Sequence, residues 1–217
     1  MTRHASVIAV PPASPEEAAE ACARAVARGE LIVIPTDTVY GLAGGVRNPD
    51  AIARIYEAKG RPEHMALPVL VASAQDALPL IGGDAAAEAK HLFERFWPGA
   101  LTAVVPRTDD VPAAVTAGRP TVGLRLPDSD LARAIIAACG GALATTSANL
   151  SGEPPACDVA ELPAELLARV AVVIDAGRCP GGAPSTVVDL SAHPPRLLRG
   201  GPVPAEALRE VLPELAG

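Results

Sequence analysis

Leu31-Ile32-Val33-Ile34-Pro35-Thr36-Asp37-Thr38-Val39-Tyr40-Gly41-Leu42 decides how the chain is read. Four consecutive apolar residues make a strand buried on both faces, as parallel or central strands are. The run then gives way to a loop carrying Thr36 to Gly45. Upstream, Ser14-Pro15-Glu16-Glu17 offers an N-cap, a first-turn proline and a glutamate at capping-box spacing. That predicts a helix to about Arg28, stopped by Gly29. Downstream, Asn48-Pro49-Asp50 opens a second helix with Ile52, Ile55 and Tyr56 on its inner face, ending at Lys59-Gly60-Arg61-Pro62. Helix, buried strand and helix in succession mean an α/β protein.

The alternation continues. Leu67 to Val71 reads as a strand, Asp84 to Phe96 as a helix, and Trp97-Pro98-Gly99 turns the chain into a strand at Leu101 to Val105. Val122 to Leu126 is another strand, and Asp128 is placed to cap a helix to about Ala138. Leu143 to Thr145 is a short strand ending in Thr146-Ser147-Ala148-Asn149. A helix near Glu161–Arg169, strands at Val170–Asp175, Thr186–Leu190 and Arg196–Leu198, and a helix from Pro204 to Leu212 complete the expectation. Strict βαβ repetition is missing, so the pattern favours a single-domain twisted mixed sheet with flanking helices over a pure doubly wound one. The expected domain covers residues 14–205, with an N-terminal extension at 1–13 and a C-terminal helix and tail at 206–217.

A chain of 217 residues can bury one sizeable α/β core. Aromatics make up only 2% of it, so that core must be built from Ala, Val, Leu and Ile. The net charge of −7 argues against a general nucleic-acid coat or an anionic-membrane binder, and leaves room for a local basic pocket. Cys22, Cys139, Cys157 and Cys179 form no C-x-x-C pair and are expected to be reduced, packed residues. Met1 to Ala13 reaches Pro11-Pro12 before an apolar core can form, which does not fit a signal peptide. The apolar runs fall short of the ~20 residues of a membrane span. The expected location is cytoplasmic.

Phosphate-loop, dinucleotide-fold, nucleophile-elbow and H-E-x-x-H signatures do not occur, and the four histidines are not closely paired. Polar groups instead collect at the ends of apolar segments, where α/β sites form. Thr36 and Thr38 follow the first strand, and Lys59 and Arg61 follow the second helix. Lys59 is one of two lysines set against sixteen arginines. Arg125 sits within an apolar strand, where a charge needs a partner or a ligand. Ser147 and Asn149 end another strand, Ser185 and Thr186 begin the next, and Arg199 ends the one after. Each has a purely structural alternative. Thr36 and Asp37 serve as turn residues, Lys59 and Arg61 as a helix C-terminus favoured by its dipole, and Ser147 to Asn149 as an N-cap. Arg125 serves in an ion pair, Ser185-Thr186 as strand residues, His64 as a solvated loop residue and Trp97 as core. Taken together, the cations and hydroxyls make a donor-rich cavity suited to a nucleotide and a small carboxylate ligand.

At these residues the chain resembles the YrdC family of L-threonylcarbamoyladenylate synthases. The stretches that carry the resemblance begin with Pro35 to Leu42, Ala58-Lys59-Gly60-Arg61-Pro62 and Phe96-Trp97-Pro98-Gly99-Ala100-Leu101-Thr102. Then come Val115-Thr116-Ala117-Gly118, Val122-Gly123-Leu124-Arg125-Leu126-Pro127 and Ser147-Ala148-Asn149-Leu150-Ser151-Gly152. Ser185-Thr186-Val187-Val188-Asp189 and Leu197-Leu198-Arg199 complete the set, in family order over roughly residues 15 to 205. Met65, Ala66 and Leu70 stand where the family pattern has a polar residue, a proline and a histidine.

The resemblance implies a twisted α/β fold around a deep basic cavity, and a nucleotidyltransferase joining L-threonine, bicarbonate and ATP into threonylcarbamoyl-AMP and pyrophosphate. It implies that Thr36 and Arg125 hold threonine, with Ser185 nearby and Thr145 lining that side. Lys59, Arg61, Thr121, Ser147, Asn149 and Arg199 would surround the ATP, Lys59 and Arg61 countering phosphate charge as the catalytic pair. Mg²⁺ would come with the ATP, held by phosphate and water without an assigned protein ligand. Downstream threonylcarbamoyl-transfer proteins are implied partners and tRNA a further candidate; a membrane is not. The rival class is a tRNA- or double-stranded-RNA-binding protein that uses the same cavity without synthase activity.

Overall fold

The first helix begins as its sequence dictates. In the computed structural model, which describes residues 5–83 and 85–217, Ser14 Oγ accepts from Glu17 N at 3.2 Å. The Glu17 carboxylate accepts from Ser14 N at 2.8 Å, closing the capping box. Strand β1 (Ser6–Ala9) precedes α1 (Pro15–Ala27); it falls within the stretch read from sequence as an extension. Next come β2 (Ile32–Ile34), β3 (Gly41–Gly45), α2 (Pro49–Lys59), β4 (Val69–Val71), α3 (Ala74–Ala77) and α4 (Ala85–Phe96). Asp84, the expected start of that last helix, lies outside the described residues. The chain continues through β5 (Leu101–Pro106), α5 (Ala113–Thr116), β6 (Thr121–Arg125), α6 (Asp130–Ala138) and β7 (Ala142–Ser147). It finishes with α7 (Ala164–Leu167), β8 (Val172–Asp175), β9 (Thr186–Asp189), β10 (Arg196–Arg199) and α8 (Ala205–Arg209).

These strands form one mixed sheet in the order β1-β8-β2-β3-β7-β4-β6-β5-β9-β10. Parallel pairs (β1 with β8, β8 with β2, β4 with β6, β5 with β9) interrupt the antiparallel ones. β2 has a neighbour on each side, as its unbroken apolar run requires. Alternation divides the core between the sheet's faces. Val33, Leu42, Ile52, Ile55, Leu92 and Leu124 pack on the side of α2 and α4, and Ile32, Ile34, Leu70, Ile135 and Leu143 on the side of α1 and α6. Each such fully buried side chain contributes about 1.5–3 kcal/mol. Trp97 is core as expected, stacked on Phe93 with its Nε1 donating to Leu101 O at 2.9 Å.

Four local expectations need correction. Gly41–Gly45 is a strand, not part of the loop. A Cβ at Gly41 would sit 2.9 Å from Thr145 Cγ2, and one at Gly44 3.0 Å from Leu31 Cδ2, so these glycines mark close packing rather than a turn. Helix α6 is capped by Ser129, whose Oγ accepts from Ala132 N at 3.2 Å, and not by Asp128. The helix expected near Glu161–Arg169 is a 3-10 turn at Val159–Glu161 and then the short α7, separated at Pro163, which cannot donate a helical hydrogen bond. The helix expected over Pro204 to Leu212 is the shorter α8.

Candidate active site

The loop leaving β2 is folded by its own threonines. Thr36 Oγ1 accepts from the backbone N–H groups of Thr38 (3.1 Å) and Val39 (3.2 Å) and donates to Val39 O (2.7 Å). Such a side-chain turn points the next residues across the sheet. There they meet Arg125 at the end of β6. Arg125 donates from Nη2 to Asp37 Oδ1 at 2.6 Å, from Nη1 to Thr38 Oγ1 at 2.8 Å and from Nε to Gly99 O at 3.0 Å. The ion pair is almost dry, with 7% of the Arg125 side chain and 12% of the Asp37 side chain exposed. Arg125 is therefore both an ion-pair member and a cavity residue; the two readings of it were not exclusive.

On the neighbouring β5, Thr102 Oγ1 lies 2.8 Å from Oγ of Ser185, the residue just before β9. Arg199, on edge strand β10, donates from Nε (3.0 Å) and Nη2 (2.8 Å) to Ser185 O. On the other side, Gly60 in the left-handed conformation ends α2 and sends the chain to Arg61, which donates from Nε to Met65 O and from Nη2 to Ala66 O. Lys59 turns inward, 3% exposed, and donates from Nζ to Ser147 O, to Asn149 O at 2.8 Å and to Asn149 Oδ1 at 3.0 Å.

Several of these groups converge on a cavity of about 170 Å³. That is below the roughly 300–1,000 Å³ of pockets that engulf drug-sized ligands, so it suits a small ligand or one end of a larger one. Of the residues singled out from sequence, Thr36, Arg61, Arg125, Thr145, Ser147, Ser185 and Arg199 line it. Leu70 does too, and because Leu70 also packs in the α1/α6 cluster, the cavity opens on that face of the sheet. Three predicted residues stand outside its lining. Lys59 lies behind the Ser147–Asn149 turn with its three N–H donors taken, and Asn149 is spent on Lys59, Leu150 O and Glu153 O. Thr121 shares the face of Arg125, four residues along β6. No helix follows Ser147 to Asn149, so the N-cap alternative fails. His64 is an exposed loop residue. Thr102 and Thr146 line the cavity and were not assigned from sequence.

The electrostatics are lopsided. The described lining includes three arginines and no carboxylate. Burial drives the Lys59 ammonium down to about 8, with Arg61 adding to the effect. Arg199 is pushed below its ordinary value by burial and then by Arg125. Arg61 is lowered by burial, and Arg125 by burial in spite of Asp37. Like charges crowded out of water favour an anionic ligand. Among the described residues no three His, Cys, Asp or Glu side chains come together to hold a metal ion, and no helix is long and apolar enough to cross a membrane.

A family model for Sua5, YciO and YrdC proteins, described as "Telomere recombination", matches residues 24–201. The chain belongs to the Sua5/YciO/YrdC family. The threonylcarbamoyl-AMP synthase of Pyrococcus abyssi is 37% identical over 190 residues, which are 88% of this chain and 56% of that protein. The putative threonylcarbamoyl-AMP synthase of Mycobacterium tuberculosis strain H37Rv is 39% identical over 188 residues, covering 87% of this chain and 86% of the relative. Among solved structures, P. abyssi Sua5 complexed with L-threonine superposes with a TM-score of 0.91 at 35% identity, over 97% of this chain and 62% of that one. This family member thus spans little more than half the length of its archaeal relative.

Proposed function

We propose that the chain forms threonylcarbamoyl-AMP and pyrophosphate from L-threonine, bicarbonate and ATP. The observation that carries this reading is the convergence of Arg61, Arg125 and Arg199 with several hydroxyls on one small cavity that no carboxylate lines among the described residues. The names of the relatives, and the threonine in a structure superposing at 0.91, support it.

In this reading the threonine carboxylate lies on Arg125, with Thr36, Thr145 and Ser185 around it. Threonine's amine and bicarbonate condense to a carbamate with loss of water. A carbamate oxygen then attacks the α-phosphorus, forming the mixed anhydride and breaking the bond to the departing pyrophosphate. The nucleophile belongs to the substrate, so the protein's part is alignment and charge stabilisation. Arg61 and Arg199 face the triphosphate beside Ser147. Lys59 acts from behind the wall, with Asn149 fixing the turn between them, and Thr121 borders the nucleoside end. Mg²⁺ enters as part of the substrate, on the phosphates. The domain of residues 14–205 would contain all of these groups, and the product would pass to proteins that transfer its threonylcarbamoyl group to tRNA in the cytoplasm.

The test is pyrophosphate release from ATP in the presence of threonine and bicarbonate. Wild type should show release that requires threonine, and Arg61→Ala should lower it about 10²–10³-fold. Threonine-independent hydrolysis sinks the reading, and thermal stabilisation by RNA but not by ATP with threonine would favour the RNA-binding rival.

A further inference from the structure

Arg125 has five N–H donors, and protein atoms take three of them, one on each nitrogen. One N–H on each terminal nitrogen is left over among the described contacts, and these are the donors Arg125 has available for a ligand carboxylate. The direction of that pair depends on how the guanidinium plane is rotated. Gly99 O fixes the Nε end, leaving Asp37 and Thr38 to fix the far end. Asp37 is itself tightly confined. A Cβ at Gly181 would lie 2.5 Å from Asp37 O, and Gly182 N donates to Thr38 O at 2.9 Å, so a glycine strap packs closely against the backbone of the loop and limits its movement. Asp37 does not line the cavity.

We propose that Asp37 is a positioning residue for amino-acid recognition, aiming the two unused N–H groups of Arg125 at the ligand carboxylate. This rests on the reading of the cavity as a threonine site. It makes a prediction opposite in sign to simple electrostatics. Removing the Asp37 charge makes the cavity more positive, which by charge alone tightens the grip on a carboxylate. If Asp37 aims the fork, its loss weakens that grip instead. Arg125 keeps its charge but loses its direction.

Asp37→Asn is nearly isosteric: it removes the charge and leaves Arg125 Nη2 only a neutral, weaker acceptor, so charge and aim pull the threonine affinity in opposite directions. Threonine and ATP binding are measured by calorimetry on wild type, Asp37→Asn and Asp37→Glu, together with steady-state kinetics. The expected result for Asp37→Asn is a threonine Kd and KM about tenfold higher, with kcat within about twofold and ATP affinity unchanged. Asp37→Glu, which restores the charge on a longer arm, should recover part of the loss. Retained ATP binding shows that the variant is folded. Threonine binding that is unchanged or tighter in Asp37→Asn overturns the role of Asp37, as does a parallel loss of threonine and ATP affinity. Wild type that binds no threonine overturns the reading of the site and this inference with it.

Discussion

The cations around the cavity are held in two different ways. Arg125 is locked in an almost dry ion pair with Asp37, and a threonine hydroxyl and a backbone carbonyl complete its setting. Arg61, Arg199 and the Lys59 behind the wall donate to uncharged oxygens; Lys59 feels Arg61, and Arg199 feels Arg125. The Arg125 end is organised before any ligand arrives. The other cations store repulsion that an anion relieves. A small carboxylate needs direction and suits Arg125; a triphosphate needs charge and suits the others.

The largest effect should come from breaking the organised end. Arg125→Ala leaves Asp37 dehydrated and unpaired, and should cost about 3–5 kcal/mol in denaturant unfolding. Arg199→Ala, which removes a repelled cation, should stay within about 1 kcal/mol of wild type. Equal losses in the two variants would break the distinction.

Inorganic tripolyphosphate sharpens it from the other side. At about one hundred times its Kd it should stabilise wild type by about 2.7 kcal/mol, and the midpoint shift at a fixed concentration should shrink in Arg61→Ala and Arg199→Ala. A full shift in both variants would place the anion elsewhere.

The smallest effect is the pH dependence of Lys59. With its folded value near 8, the ammonium is charged below that pH and neutral above it. ATP affinity should therefore fall, by about tenfold at most, as pH rises through 8 toward 9, and Lys59→Met should flatten the profile. The stability term has the opposite sense. Between about 8 and 10.5 the unfolded chain binds more protons at this residue than the folded one, so its contribution to stability grows as pH rises. Unfolding midpoints of wild type and Lys59→Met across that window would show it.

What the sequence revealed follows the range of each interaction. Caps are local, so the starts of α1 and α2 could be read from Ser14, Glu17 and Asn48. β3 was hidden because its glycines answer to Leu31, Ala51 and Thr145, contacts that a local pattern does not contain. A charge inside an apolar strand marked Arg125, but its partner Asp37 lies 88 residues away. The same argument applied to Leu101-Thr102-Ala103-Val104-Val105 would have marked Thr102, which is 4% exposed and bonded to Ser185. The lysine beside Arg61 was legible as chemistry. That it turns behind the wall instead of into the cavity depends on how the end of α2 meets the end of β7, a tertiary fact.

The sheet order also carries a consequence for how the protein is made. β9 and β10 are far along the chain, yet they close onto β5, carrying Ser185 and Arg199 to groups laid down at Thr36, Arg61 and Arg125. Contacts of such long sequence separation give a high contact order and slow folding. On the ribosome, Thr36 and Arg61 emerge well before the strands that complete their cavity. Binding competence should appear late and abruptly, when the final hairpin docks, and fragments that end before β9 should hold the early motifs without a working site.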